Sequence, residues 1–405
     1  MKPIVRAGRM KPVHSDIRGP LFVEAMKRQK QGIDILKLNT GNPATFGFGL
    51  PDSIKNALLE HMQDGVGYCD FKGMPQARQA ICDYETSKGI KGITPDDVFI
   101  GNGVSEVVSF ALTPLLNDGD EVLVPSPSYS LWGNSVYLED GKPVFYTCDE
   151  QANWYPDIQD IRSKITDKTK AIVIINPNNP TGVLYPKELL LEIIQIARES
   201  GLLIFADEIY DRLVMDGKQH ISLASLTEDV PVITLNGLSK SHCLCGYRCG
   251  WMVISGPREL TEDYRQGIIQ LTSLRLCANT MAQIVIPAAL DDMETPASMV
   301  RPGGRIYEQR EATVRELEKI DGLSFVKNDA AFYVFPKLDV KKFNITNDKQ
   351  FAHDLLDVTN ILLVPGSGFD WKDPDHFRIV MLPQADILSD AIRRMGTFLD
   401  GYKQK

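Results

Sequence analysis

Short apolar runs recur through the first two thirds of the chain, each closed by polar or turn-forming residues. Val98-Phe99-Ile100 ends at Gly101-Asn102-Gly103, and Glu121 to Val124 ends at Pro125-Ser126-Pro127. Ala171 to Ile175 ends at Asn176-Pro177, Leu202 to Ala206 at Asp207-Glu208, Val232 to Leu235 at Asn236-Gly237, and Trp251 to Ile254 at Ser255-Gly256-Pro257. The runs are continuous and do not alternate, as in strands buried on both faces of a mainly parallel sheet. Amphipathic stretches lie between them. In Lys187 to Ser200, Leu190, Ile193, Ile194 and Ala197 share one face, and Gly201 stops the helix. Alternating strands and helices predict an α/β domain with right-handed crossovers over residues 41–285.

The last third has another rhythm. Arg305 to Ile320 predicts a charged helix, Phe325-Val326 and Ala331 to Phe335 predict strands, and Lys349 to Asp357 a second helix. Ile361 to Val364 predicts a further strand and Asp386 to Leu399 a closing helix. These form a smaller α+β layer, residues 286–405, expected to be joined by residues 1–40, with Ile17 to Lys37 packed against it.

A chain of 405 residues fits two domains and buries a core large enough to need no disulfides. Its seven cysteines are odd in number, which suits a reducing, cytoplasmic compartment better than a secreted framework. The formal net charge of −9 argues against nucleic-acid binding. Lys2, Arg6, Arg9 and Lys11 precede the first acid, Asp16, but no apolar segment follows, so a solvated terminus is expected and not a targeting signal. No apolar run approaches the roughly 20 residues of a membrane span.

The polar residues that close the runs carry the chemistry, because ligands bind at the carboxyl ends of strands in open α/β sheets. Ser239-Lys240 follows one run, and Gly246-Tyr247-Arg248-Cys249-Gly250 comes soon after. A lone lysine would be read as solvated; a serine before it and an arginine eight positions on can hold a phosphate beside an imine-forming amine, whose pKa falls on desolvation. Asp207 ends a buried run with Tyr210 three residues later, and a buried carboxylate needs a cation unless it caps a helix. Asn176-Pro177-Asn178-Asn179-Pro180-Thr181-Gly182 is a rigid turn that fixes Asn179. Gly101-Asn102-Gly103-Val104-Ser105 lets backbone approach an anion at a helix start. Arg378, between Phe377 and Ile379, needs either a substrate carboxylate or an internal acid. Cys243, Cys245 and Cys249 lack a second cluster at metal-site spacing and are expected to be packing residues, with no metal.

Taken together, Asn179-Pro180-Thr181-Gly182, Asp207-x-x-Tyr210, Ser239-Lys240, Gly246-x-Arg248-x-Gly250 and the late Arg378 resemble the signature of fold-type-I (class I/II) aminotransferases, in the same order along the chain. Asp16-Ile17-Arg18-Gly19-Pro20, Leu38-Asn39-Thr40-Gly41-Asn42-Pro43 and Gly67-Tyr68-Cys69-Asp70 are similar to the bacterial glutamate–pyruvate (alanine) branch, so the likeness covers nearly the whole chain. The resemblance implies pyridoxal 5'-phosphate held on Lys240 as a Schiff base, with Asp207 against the pyridine nitrogen and Tyr210 and Asn179 at the phenolic oxygen. Tyr129 would stack on the ring, and Val104, Ser105, Ser239 and Arg248 would hold the phosphate, helped by Tyr68 from the other subunit of a homodimer. Arg378 would grip the substrate α-carboxylate, with Gly41 and Asn179 lining the pocket and Arg18 offered to the distal carboxylate of glutamate. Ser15 departs from the tyrosine often found in relatives, which leaves side-chain preference open. The expected reaction is ping-pong transamination between L-alanine and 2-oxoglutarate. Alternatives are an aromatic, branched-chain or kynurenine donor, a β-eliminating lyase on the same scaffold, or a regulatory protein retaining the cofactor domain.

Overall fold

The continuous apolar runs become strands buried along nearly their whole length. The computed structural model describes residues 3–405, which leaves Lys2 outside, and builds one eight-stranded sheet. Its strands are β1 (Val98–Asn102), β2 (Glu121–Ser126), β3 (Lys142–Asp149), β4 (Tyr155–Pro156), β5 (Thr169–Ile175), β6 (Leu203–Asp207), β7 (Val232–Gly237) and β8 (Cys249–Ser255). Their spatial order is β1-β8-β7-β6-β5-β2-β3-β4. Strands β7, β6, β5, β2 and β3 run parallel. Strand β8 runs antiparallel between β1 and β7, and β4 is an antiparallel edge. The carboxyl ends of β1, β2, β5, β6 and β7 therefore share one edge with the amino end of β8.

Side-chain alternation divides each strand between two apolar layers. Ala171, Val173 and Ile175 of β5 join Phe205, Trp132 and the helix Val104–Leu112 on one face. Ile172 and Ile174 join Ile204 and the helix Lys187–Ser200 on the other. That helix has the bounds its periodicity predicts and buries Leu190, Ile193, Ile194 and Ala197, each such Leu or Ile contributing about 1.5–3 kcal/mol. Gly201 closes it with φ of 65°, a left-handed conformation that glycine adopts without a Cβ penalty. Strand β3 has no counterpart among the predicted runs, because its exposure alternates and it begins with an exposed Lys142.

In the last third, the helices Arg305–Leu317 and Ala385–Leu399 pack together over a second core. Phe377–Val380 is the middle strand of three, antiparallel to Tyr333–Val334 and to Val364–Pro365. Leu36–Lys37 pairs with Ile361–Leu362, and the Val380 amide donates to the Leu38 carbonyl, so the N-terminal segment lies against this core. Two predicted strands are corrected. The strand expected at Phe325-Val326 lies at Leu323–Ser324, where it pairs with Lys337–Leu338; Phe325 is apolar because it packs inward, not because it forms the ladder. The strand expected over Ala331 to Phe335 is only Tyr333–Val334, because Ala331 turns the backbone at φ of 59°. Among the described residues, no single helix is long and apolar enough to cross a membrane.

A buried pair just before the Arg378 strand links stability to pH. His376 donates from Nδ1 to Asp375 at 2.7 Å and stacks on Phe335, with Glu150 at 3.5 Å from Nε2. Burial alone would raise Asp375, but the His376 hydrogen bond holds it down at about 2. Burial would lower His376, but Asp375 and Glu150 together carry it above its ordinary value. The Asp375 contribution is present above its ordinary value of about 3.9 and is lost as pH falls through about 2. The His376 contribution is present below its ordinary value of about 6.5 and is lost as pH rises through the raised folded value. Thermal melting should therefore show the gap between wild type and Asp375→Asn widest between about pH 4 and 6.5, narrowing on both sides; a gap independent of pH would remove the pair as its source.

Candidate functional site

Strand β6 delivers Asp207 to the shared sheet edge, 5% exposed. Its Oδ2 accepts a hydrogen bond from Trp132 Nε1 at 3.1 Å, and the Ile209 amide lies 3.4 Å from Oδ1. A turn follows, not a helix, so the capping alternative is excluded. No cation pairs with Asp207 among the described residues. Burial raises its pKa to about 6. The turn itself is anchored by a buried charge cluster. Lys88 Nζ lies 2.6 Å from Glu85, 2.7 Å from Glu208 and 3.2 Å from Asp211, fixing the residues on both sides of Ile209 and Tyr210. Removing one partner from such a buried cluster costs about 3–5 kcal/mol.

Arg378 is 1% exposed and lies within ion-pair distance of no carboxylate among the described residues, which excludes the internal salt bridge left open by its sequence context. One terminal nitrogen donates to Asn179 Oδ1 at 2.9 Å and the other to the Asn39 carbonyl; Nε has no partner. The guanidinium lies 4.5 Å above the Tyr333 ring and 4.6 Å above Phe369. Burial lowers its pKa, as expected for a cation awaiting a counter-charge. The Asn39 side chain in turn donates to the Ile17 carbonyl at 2.8 Å, tying the N-terminal segment to this arginine.

Lys240 sits on the short helix Leu238–Ser241 that follows β7. Its amine donates to the Gly41 carbonyl at 2.9 Å and lies 5.7 Å above the Phe332 ring. Burial pulls its pKa down, as the sequence leads one to expect, but Tyr333, Cys245 and Tyr129 outweigh it and the net direction is upward. The free amine is thus held charged at the site. Gly41 has no room for a side chain: a Cβ there would lie 2.3 Å from the Tyr333 hydroxyl.

The anion cradle is built from close backbone approaches. Gly103, at φ of 83°, opens the helix Val104–Leu112, whose first amides, from Val104 and Ser105, lack helical partners. A Cβ on Gly103 would lie 2.4 Å from the Arg248 guanidinium, and one on Gly250 would lie 2.4 Å from the Val104 amide nitrogen. Arg248 reaches this place because β8 is antiparallel and begins at the edge where its neighbours end. Glu106, the acid of that first turn, is engaged by Arg275 at 2.6 Å, so it does not occupy the first amides of the helix. Ser239 is half-buried beside Lys240, and its carbonyl accepts from Cys245 Sγ at 2.9 Å.

Two predicted residues stand apart. Tyr68 is 83% exposed and Arg18 is exposed, with no ion pair or hydrogen bond from its side chain among the described residues. Cys243 and Cys249 are pushed up by burial, Cys243 to about 12, and act as packing groups. The acid–histidine groupings able to hold a metal, Glu24–His353–Asp357 and Glu208–Asp211–His220, contain none of these thiols, and Arg28 and Lys88 respectively already pair with them. Trp132, Phe332 and Tyr333 belong to the site without a sequence signal, because each reaches it from a distant segment through tertiary contacts; Asn39 lies in the motif over residues 38–43, but that motif assigns it no role.

Residues 33–392 match the profile of the family described as aminotransferase class I and II. The chain is 50% identical over 404 residues to the glutamate-pyruvate aminotransferase AlaA of Haemophilus influenzae, with 100% of both chains covered. It is 45% identical to the alanine aminotransferase of Mycobacterium tuberculosis, covering 100% of this chain and 94% of that one. The crystal structure of an aminotransferase from Escherichia coli matches with a TM-score of 0.98 at 47% identity over 100% of both chains. An alanine aminotransferase from Pyrococcus furiosus matches with a TM-score of 0.93 at 41% identity, covering 98% of this chain and 100% of that one.

The unpaired Asp207 has a measurable cost. Its carboxyl ionises near 3.8 when unfolded and near 6 when folded, so folded stability is lost across that interval as pH rises and the full penalty stands above it. In protein carrying no small ligand, Asp207→Asn should be more stable than wild type above about pH 6, by on the order of 3 kcal/mol, with the difference closing towards pH 4. Chemical denaturation across that range checks this; a less stable variant at pH 8 would mean that Asp207 is already paired.

Proposed function

Because the chain belongs to the class I and II aminotransferases, we propose that it transfers an amino group between L-alanine and 2-oxoglutarate, giving pyruvate and L-glutamate, with pyridoxal 5'-phosphate as cofactor. The observation that carries this is Arg378, a buried guanidinium without a carboxylate, over the ring of Tyr333, whose hydroxyl packs against Gly41, the acceptor of the Lys240 amine. Relatives at 45–50% identity bear alanine and glutamate–pyruvate names, which supports these substrates over other amino donors.

The unsatisfied groups fit the cofactor. Asp207 would meet the pyridine nitrogen and hold its proton, and the Val104 and Ser105 amides with Ser239 and Arg248 would take the phosphate. Tyr129 would lie against the ring, and Tyr210 and Asn179 would serve its phenolic oxygen. Asn179 gives its Oδ1 to Arg378, so its amide hydrogens remain to donate. When bound, the cofactor supplies the electron sink for the substrate's α-carbon. Lys240 anchors it and afterwards moves the α-proton at its Nζ, while Arg378 and Gly41 fix the substrate. Arg18, one residue from the Ile17 carbonyl held by Asn39, is assigned to the distal carboxylate of glutamate. The exposure of Tyr68 supports its use by a second copy in a homodimer. The odd complement of cysteines supports a cytoplasmic setting.

Holoenzyme mixed with L-alanine alone should lose its visible band and release pyruvate, and 2-oxoglutarate should restore the band; release of ammonia would reject transamination. Arg378→Lys should lower kcat/KM for alanine and glutamate together by about 2–4 kcal/mol, because lysine cannot reproduce the two-pronged contact.

Mixing Tyr68→Ala subunits with Lys240→Ala subunits should recover part of the activity, because each mixed dimer then holds one intact site. No recovery under demonstrated subunit exchange would assign Tyr68 to its own chain.

A further inference from the structure

Tyr333 is 2% exposed and meets three site residues at once. Its hydroxyl lies 2.9 Å from that of Tyr210, its ring lies 4.5 Å beneath the Arg378 guanidinium, and its oxygen fills the space that a Gly41 side chain would take. Among the described residues, neither hydroxyl has another hydrogen-bond partner. Two hydroxyls carry two protons; one is spent between them, and one is left to point outward. A guanidinium over the ring face draws electron density from Tyr333 and makes it the better donor of the pair.

We propose that Tyr333 is a positioning residue: it donates to Tyr210, and so directs the Tyr210 proton towards the cofactor's ring oxygen. This rests on the cofactor assignment made above for Tyr210. The hydrogen bonds then run in one direction and strengthen each other. Carboxylate binding at Arg378 offsets the charge above Tyr333, so filling the carboxylate site changes how strongly Tyr210 donates. The two halves of the substrate site are coupled through one phenol.

The test is the pH midpoint of the holoenzyme's visible band, which reports the proton on the Lys240 nitrogen conjugated to the cofactor. Tyr333→Phe keeps the ring beneath Arg378 and removes only the donor. Weaker donation to the ring oxygen raises the proton affinity of the conjugated nitrogen, so the midpoint should rise, by about half to one pH unit. The kcat for alanine should fall several-fold while KM changes little. Tyr333→Leu, which also removes the ring, should raise KM as well. A midpoint unmoved in Tyr333→Phe but moved in Tyr210→Phe would overturn the proposal and leave the cofactor assignment standing. A midpoint unmoved in both would overturn the assignment of Tyr210, and the proposal with it.

Discussion

Asp207 and Arg378 are buried charges of opposite sign that the fold keeps apart. Each would be cheaper to bury if paired with the other, and an unpaired buried charge costs several kcal/mol. The rest of the structure can be understood as what it takes to hold them separate. Trp132 and the Ile209 amide give Asp207 two hydrogen bonds but no cation. Asn179, Asn39 and two aromatic rings give Arg378 dipoles and quadrupoles but no carboxylate. Both charges are left with capacity for a further partner, Asp207 for a cation and Arg378 for an anion.

Much of this was legible along the chain. Apolar runs that end in Asp207, Asn176 and Asn236 place polar groups at strand ends, and a mainly parallel sheet collects such ends on one edge. That reasoning needs only local pattern and the topology of α/β sheets, which is why β1, β2, β5, β6, β7, β8 and the Lys187–Ser200 helix lie where expected. The nature of the buried partners was not readable in the same way. Which groups meet the buried Asp207, and whether Arg378 meets an internal acid, depends on residues 75 to 339 positions away in the chain.

The unread parts share a physical origin. The antiparallel course of β8 leaves no trace in its composition, because a fully buried strand is apolar in either direction; yet it alone carries Arg248 to the edge where the anion cradle forms. Lys88 looks like an ordinary solvated residue at a helix end, until Glu85 of its own helix and Glu208 and Asp211 of the turn after β6 close on it. The bend at Ala331 interrupts an apolar stretch that reads as a strand, and it is the bend that turns Phe332 and Tyr333 towards Lys240 and Arg378. Apolar character marks burial; it does not say which buried residues will face a ligand.

The strand Phe377–Val380 carries Arg378 on the core of the last third, whereas Lys240 belongs to the eight-stranded sheet. On the proposed roles, a substrate gripped by Arg378 and joined to the cofactor beside Lys240 would be a strut between the two cores. Every α-amino acid has the same span from carboxylate to nitrogen whatever its side chain, so such a strut would gauge backbone length. A β-amino acid, one carbon longer, would overfill that span, and a simple amine would not reach across it. Selection for α-amino acids would then precede any selection among side chains.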